Sequence, residues 1–179
     1  DLAFTESLGA EFGYEVVPTS TFDLAGERVS STRIRASLVD ADFVQAANLL
    51  GKPFKLSGKV LKGKQLGRTI GFPTANIALK RVKSPLHGVY AVRVSGGGLT
   101  EAPGVANVGV RPTVNDGMLA NLEVNLLNFN GDLYGERLDV EFMTKLRDEK
   151  KFDSLDALKT AIAADQQAAR QWHASHPVK

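Results

Sequence analysis

The sequence predicts a mainly β fold: a small closed or nearly closed antiparallel barrel of about six strands, followed by one long C-terminal helix and preceded by a short α/β segment. Three observations carry this. From Phe54 onward apolar residues recur with a period of two, in short runs bounded by Gly, Pro and Asn. No long helical stretch interrupts these runs, which favours a small closed sheet over a layered α/β arrangement. Beyond residue 153 the period changes to 3.6 and holds almost to the end of the chain.

In chain order, residues 15–17 suggest a short strand. Residues 27–32 lead into a helix over RIRASLVD, with Ser30, Ser31 and Thr32 available as N-caps. A second helix fits residues 40–50, capped by Asp40, with Phe43, Ala47 and Leu50 on one face and Gly51 and Pro53 ending it. The domain boundary is placed there, giving segments 1–50 and 51–179. The barrel strands are expected at 55–61, 75–79, 89–94, 105–110, 122–127 and 138–142. Asn130, Gly131 and Asp132 predict a hairpin between the last two. Asp153 or Ser154 caps the final helix, whose stripe is Leu155, Leu158, Ile162, Ala169 and Trp172, and which should lie across the barrel.

Composition narrows the function classes. No apolar run approaches the roughly 20 residues that span a bilayer, so no membrane partner is expected. The N-terminus lacks the basic start and apolar core of a secretory signal, and it begins as though cut from a longer chain. With no cysteine, disulfides and thiolate metal sites are excluded, and a reducing cytoplasm is the expected location. Charge is unevenly placed. Between Asp42 and Glu101 there is no acid but there are ten bases, among them Lys64, Arg68, Lys80, Arg81 and Lys83. A one-sided positive segment favours a polyanion, either a nucleotide phosphate or a nucleic acid.

Four glycines, Gly58, Gly63, Gly67 and Gly71, punctuate the start of the barrel, and such backbone can turn its N–H groups toward phosphate. Residues 58–64 match the opening of a Walker A loop, G-x4-G-K. Gln65 then stands where a metal-binding Ser or Thr is needed, and Gly67, Gly71 and Pro73 oppose the required helix, so this is not a P-loop. Thr74 and Asn76, two apart on a strand, instead point a hydroxyl and an amide to one side, a pair suited to Mg²⁺.

The segment G-x4-G-x3-GR-x2-GFPTAN resembles the signature of riboflavin kinases. The similarity runs on through HGVYAV, GVANVGVRPT, LEVNLL, DLYGERLDVEF and LRDEKKFDSLDAL. Upstream, RVSSTRIR resembles the closing motif of the nucleotidyltransferase (FMN adenylyltransferase) domain fused to this kinase in bacterial FAD synthetases. The resemblance implies a six-stranded antiparallel barrel of the Greek-key type, and an enzyme that uses ATP and Mg²⁺ to phosphorylate riboflavin at the ribityl 5′-hydroxyl, giving FMN and ADP. It implies Thr74 and Asn76 on Mg²⁺ and phosphate, with Gly58, Gly63 and Arg68 on the nucleotide. It also implies that segment 1–50 is the remnant of the adenylyltransferase domain, with Ser31, Thr32 and Arg35 left from a phosphate-contacting motif. That domain needs an HxGH-type site, and no His precedes His87, so only a full-length parent would make FAD.

Transfer to an alcohol needs a proton acceptor. Glu123 is the candidate general base. Leu122, Val124 and Leu126 share one face of its strand and Glu123, Asn125 and Leu127 the other, so the carboxylate sits among apolar neighbours. LEVNLL also resembles the family's catalytic-glutamate strand. Asp139 and Glu141 alternate with Leu138, Val140 and Phe142 in the manner of a solvated face. Asn125 stands where many relatives carry histidine, near the acceptor hydroxyl. Arg147 and Phe152 precede the long helix in a stretch that folds over the flavin in relatives, where a cation and a ring suit a planar ligand. His87, His173 and His176 show no ligand spacing, and Trp172 is assigned to packing. The competing class is a small β-barrel that binds RNA. It would interleave aromatics with its bases, whereas residues 51–93 offer only Phe54, Phe72 and Tyr90, none grouped on one strand.

Overall fold

The computed structural model describes residues 2–18, 22–63, 66–79, 84–112 and 118–178; Lys64, Gln65, Lys80, Arg81 and Lys83 lie outside the described residues. The N-terminal segment holds α1 (Leu2–Phe12), a two-residue ribbon of β1 (Asp23–Leu24) and β2 (Glu27–Arg28), α2 (Ser31–Val39) and α3 (Phe43–Leu50). The strand expected at 15–17 does not form, because no strand is there to pair with it. Helix α1 was not anticipated. Its Leu, Ala and Glu residues favour helix, and it closes at Gly13, whose φ of 74° is left-handed.

Ser30 caps α2, its side chain accepting from the N–H of Arg33. Helix α3 starts later than its sequence suggests. Asp42 accepts from the Gln45 N–H at 2.9 Å, while Asp40 ends α2, because Ala41 turns the chain between them with a φ of 56°. With the cap moved, the buried face becomes Phe43, Ala46 and Leu49 rather than Phe43, Ala47 and Leu50. Gly51 ends the helix with a φ of 68°.

All six expected barrel strands are present. They are β3 (Lys55–Leu61), β4 (Ala75–Ile77), β5 (Gly88–Gly96), β6 (Leu99–Pro112), β7 (Met118–Leu126) and β8 (Arg137–Arg147), with a one-turn α4 (Leu66–Thr69) between β3 and β4. The order around the barrel is β3-β4-β7-β6-β5-β8, closed by antiparallel pairing of β8 with β3 from Lys55↔Glu141 to Lys59↔Arg137. The hairpin expected at Asn130, Gly131 and Asp132 is therefore absent. Strand β7 pairs with β4 and β6, and β8 pairs with β5 and β3. Turn residues reverse the chain locally, but strand edges decide pairing, and this connection carries the chain to the far edge of β3. Leu133 packs into the core on the way, and the Gly135 N–H donates to the Val60 carbonyl.

Two apolar layers follow from the period of two. Inside the barrel sit Leu56, Val60, Tyr90, Val92, Val94, Ala106, Val108, Leu122, Val124, Leu138, Val140 and Phe142. Phe43 of α3 joins this core, stacked on Phe142 at 5.9 Å and edge-on to Tyr90 at 5.9 Å. Each such ring pair adds about 0.5–1.5 kcal/mol beyond area burial, so α3 shares a core with the barrel. On the outer face, Val89, Ala91, Val105 and Leu127 pack under Ala169 and Trp172 of the long helix α5 (Leu155–Ser175). Ser154 caps α5, and the helix lies across the barrel as expected, although Leu155 is exposed. Asp139 and Glu141 occupy the outer face of β8, where Ser57 donates to Asp139 and Lys55 pairs with Glu141 at 2.9 Å. Among the described residues no helix is long and apolar enough to cross a membrane.

Candidate active site

Outward-facing positions on five adjacent strands form one row around the barrel. Asn76 of β4 is the register partner of Glu123 of β7, Glu123 of Asn107 on β6, Asn107 of Val89 on β5, and Val89 of Arg147 on β8. At the usual strand spacing the row is about 19 Å long. All five residues line a cavity of about 320 Å³ between the outer barrel face and α5. Leu158, Ile162 and Asp165 of α5, Phe152 of the preceding loop, and Gly67, Phe72 and Thr74 of the glycine loop also line it. A second cavity, about 290 Å³, lies on the far side of Thr74 against Val60, Pro73, Phe129 and Tyr134. Thr74 belongs to both.

The glycine loop is shaped by what it touches. A Cβ on Gly63 would sit 2.5 Å from Asn76 Nδ2, so bare backbone presses on that amide. A Cβ on Gly67 would sit 3.2 Å from Thr74 Oγ1 and collide with the Phe72 carbonyl. The loop makes one helical turn and ends at Gly71, whose φ is 89°; the Phe72 N–H donates back to the Gly67 carbonyl at 2.7 Å. Arg68 lies on this turn, and its side chain is outside the described set. Gly58 lines neither cavity. It is buried in β3 under Ala78 and Ile77, whose Cγ2 would meet a Cβ at 2.7 Å, so packing alone accounts for glycine there.

Glu123 accepts a hydrogen bond from Asn121 Nδ2 at 3.0 Å. Asn125, 6% exposed, has both ends of its amide engaged: Nδ2 donates to the Pro73 carbonyl and Oδ1 accepts from Gln166 Nε2, each at 2.7 Å. The peptide that precedes Thr74 is thereby tied to α5. Arg147 donates from Nε and Nη2 to the two oxygens of Asp165, both at 2.8 Å, and its guanidinium lies 5.6 Å from the centre of the Phe152 ring. Asp165 is 7% exposed, and this two-point pair fixes where the loop meets the helix. Ser31, Thr32 and Arg35 are exposed on α2 and line neither cavity, while Arg33 between them pairs with Glu27 at 2.8 Å.

The sequence reading did not single out Asn107 and Asp165, which line the cavity, or Gln166, which bonds Asn125 behind it. Asp165 carried a signal, since it falls three residues after Ile162 and four before Ala169 on the apolar stripe, and a buried acid needs a partner. Thr74 and Asn76 offer two hard oxygens. Among the described residues no group of three or more His, Cys, Asp or Glu could hold a metal. That donor set fits Mg²⁺, which keeps water and takes one or two protein oxygens plus substrate phosphates.

The family model for flavokinase, the riboflavin kinases, matches residues 50–173. The chain belongs to the riboflavin kinase family. Among curated relatives, bifunctional riboflavin kinase/FMN adenylyltransferases from Pseudomonas fluorescens and Escherichia coli K12 are 53% and 48% identical, over 95% and 96% of this chain. The chain spans about half the length of the curated relatives it matches, 54% and 55% of these two. A solved riboflavin kinase from Trypanosoma brucei superposes over 70% of this chain and 79% of its own, with a TM-score of 0.51 and 29% identity. A Streptococcus pneumoniae structure described as a macrolide-efflux protein covers 93% of this chain and 55% of its own, with a TM-score of 0.73 and 38% identity. None of these lends support to the RNA-binding alternative.

Proposed function

We propose that this riboflavin kinase module transfers the γ-phosphate of ATP to the ribityl 5′-hydroxyl of riboflavin where the two cavities meet. The observation that carries this is Thr74, which walls both cavities one residue before the strand that pairs Asn76 with Glu123. The flavin ring lies in the outer-face cavity against Val89, Val105, Leu158, Ile162 and Phe152, a wall suited to a flat apolar ligand. The nucleotide occupies the second cavity, with its phosphates turned toward the glycine loop, Gly63, Arg68 and Thr74. Gly58 supports that loop by packing, and Asn125 and Arg147 hold the flavin side in shape through Pro73 and Asp165.

Glu123 removes the proton of the 5′-hydroxyl as its oxygen bonds to the γ-phosphorus. The bond from that phosphorus to the bridging oxygen breaks, ADP leaves, and the proton stays on the carboxylate until product departs. Thr74 Oγ1 and Asn76 Oδ1 would hold Mg²⁺, which when bound supplies charge neutralisation on the phosphates. The Gln166–Asn125–Pro73 links keep the peptide that carries Thr74 in place, and α5 excludes water from the ring. Ser31, Thr32 and Arg35 stand in segment 1–50, read as the remnant of an adenylyltransferase domain; no His precedes His87 to form the HxGH-type site that activity needs, so this chain forms FMN and no FAD. The full-length parent supplies that second activity, in the cytoplasm, with neither a nucleic-acid nor a membrane partner.

The test is steady-state phosphorylation of riboflavin with flavins separated by chromatography. Glu123→Gln should lower kcat by roughly 10²–10⁴, the usual worth of a general base, with the flavin affinity retained. Chelation of divalent metal should abolish turnover, and FMN should be the sole product. An unaltered kcat in the variant would remove Glu123 from the role, and FAD formation would refute the remnant assignment.

A further inference from the structure

Asn107 stands at the centre of the five-strand row, between Glu123 and Val89, and lines the outer-face cavity. Its Oδ1 is buried and has no hydrogen-bond partner, one of three such side-chain atoms among the described residues. A buried acceptor left unsatisfied is unfavourable, and native proteins rarely keep one without a reason. Its neighbours along the row cannot supply the missing donor. Val89 is apolar, and the Glu123 carboxylate is itself an acceptor. The donor must therefore come from what fills the cavity.

We propose that Asn107 contacts the substrate directly, its Oδ1 accepting a hydrogen bond from a hydroxyl of the ribityl chain. The proposal rests on riboflavin occupying the outer-face cavity. Asn107 is one strand away from Glu123, about 4.8 Å along the row. That offset falls within the length of a polyol whose terminal hydroxyl faces the base. Beyond Asn107 the cavity wall is lined by Val89, Val105, Leu158 and Ile162, so it turns from polar to apolar between Asn107 and Val89 before the row ends at Arg147. Asn107 thus stands toward the ring end of the polyol, and selects an acceptor with hydroxyls between the ring and the one phosphorylated. Sequence alternation places it outward, but only the strand register brings it beside Glu123.

Flavin fluorescence titration of the whole chain tests this with two probes, riboflavin and lumiflavin, which has the ring without the polyol. Asn107→Ala and Asn107→Leu should each weaken riboflavin binding about three- to tenfold, the worth of one neutral hydrogen bond, and leave lumiflavin binding unchanged. Lumiflavin reports whether the cavity is still intact, and two variants guard against one that misfolds. Equal riboflavin affinity in parent and both variants would overturn the proposal, as would a parallel loss for both flavins. If the unsubstituted chain bound neither flavin, the placement of riboflavin itself would fall. If it bound and phosphorylated riboflavin while the variants matched it, only the role of Asn107 would fall.

Discussion

Replacing Gly63 with alanine should separate catalysis from stability. The added methyl would lie 2.5 Å from Asn76 Nδ2, 2.7 Å from its Cγ and 3.0 Å from its Oδ1, where ordinary contact begins near 3.4 Å. The amide must therefore shift by roughly 0.9 Å to restore contact, a movement that rotation about the side-chain bonds of Asn76 can supply. The backbone at Gly63 is outside the left-handed region, so it accepts alanine, and the gain of about 0.4–1 kcal/mol through the unfolded chain offsets part of the cost of moving the amide. A displacement near 1 Å of a group that positions the phosphoryl transfer lowers kcat on the order of 10²-fold. Gly58→Ala is the control. There the methyl meets the Ala78 carbonyl and Ile77 across paired strands, which cannot retreat, and overpacking of this kind costs about 1–3 kcal/mol. At about 2–4 °C per kcal/mol for a chain of this size, its melting temperature should fall measurably. The assays are thermal melts and steady-state FMN formation on both variants. A Gly63→Ala protein with unchanged kcat would refute the idea that this glycine sets the Asn76 amide. Equal loss of melting temperature in both variants would refute the division between them.

Asp165→Asn removes the charge that Arg147 faces at two points. Because Arg147 is about a quarter exposed, the 3–5 kcal/mol typical of a broken buried pair is discounted to about 2 kcal/mol, to be read from urea unfolding, and Arg147→Met with Asp165→Leu should recover most of it. Gln166→Leu leaves the buried Asn125 Oδ1 without its donor and should cost about 1–3 kcal/mol, with a lowered kcat that a purely surface role for Gln166 would not produce. Burial, and next the nearby Arg93 charge, hold the His173 pKa below its ordinary 6.5. The unfolded chain then takes up a proton that the native state resists. Stability is full above pH 6.5 and declines as pH falls below it, and His173→Phe should flatten that slope in urea midpoints measured at pH 7.5 and 5.5.

Periodicity made the six barrel strands and α5 legible, because each strand has one face in the barrel and one outside, and α5 has a single apolar stripe. Local chemistry also narrowed the cap of α5 to Asp153 or Ser154, of which Ser154 serves, and marked Gly51 as a stop. It failed where longer-range choices decide. Asn130, Gly131 and Asp132 read as a hairpin, yet β7 takes β4 and β6 as partners. Asp40 and Asp42 are equally good caps in a sequence, and the positive φ at Ala41 selects between them. Glu123, Thr74 and Asn76 were named from strand pattern and family likeness. Asn107 and Gln166 were not, since nothing local distinguishes an outward Asn on a strand or a Gln on a helix. Their significance comes from register and from the docking of α5. Gly58 shows the reverse, a glycine whose place in a motif suggested phosphate while its packing explains it.

Closure of β3 on β8 has a consequence for the order in which this chain acquires activity. The first strand of the barrel pairs early with β4 but finds its second, closing partner only after about eighty further residues, so the most non-local pairing is also the one that completes the wall. The row from Asn76 to Arg147, and the helix that covers it, cannot exist in any shorter nascent piece. Flavin binding is therefore tied to the global folding equilibrium rather than to a local one. Saturating riboflavin should raise the unfolding midpoint of the whole barrel, and regain of kinase activity on refolding should follow the slowest phase, with no active intermediate before it.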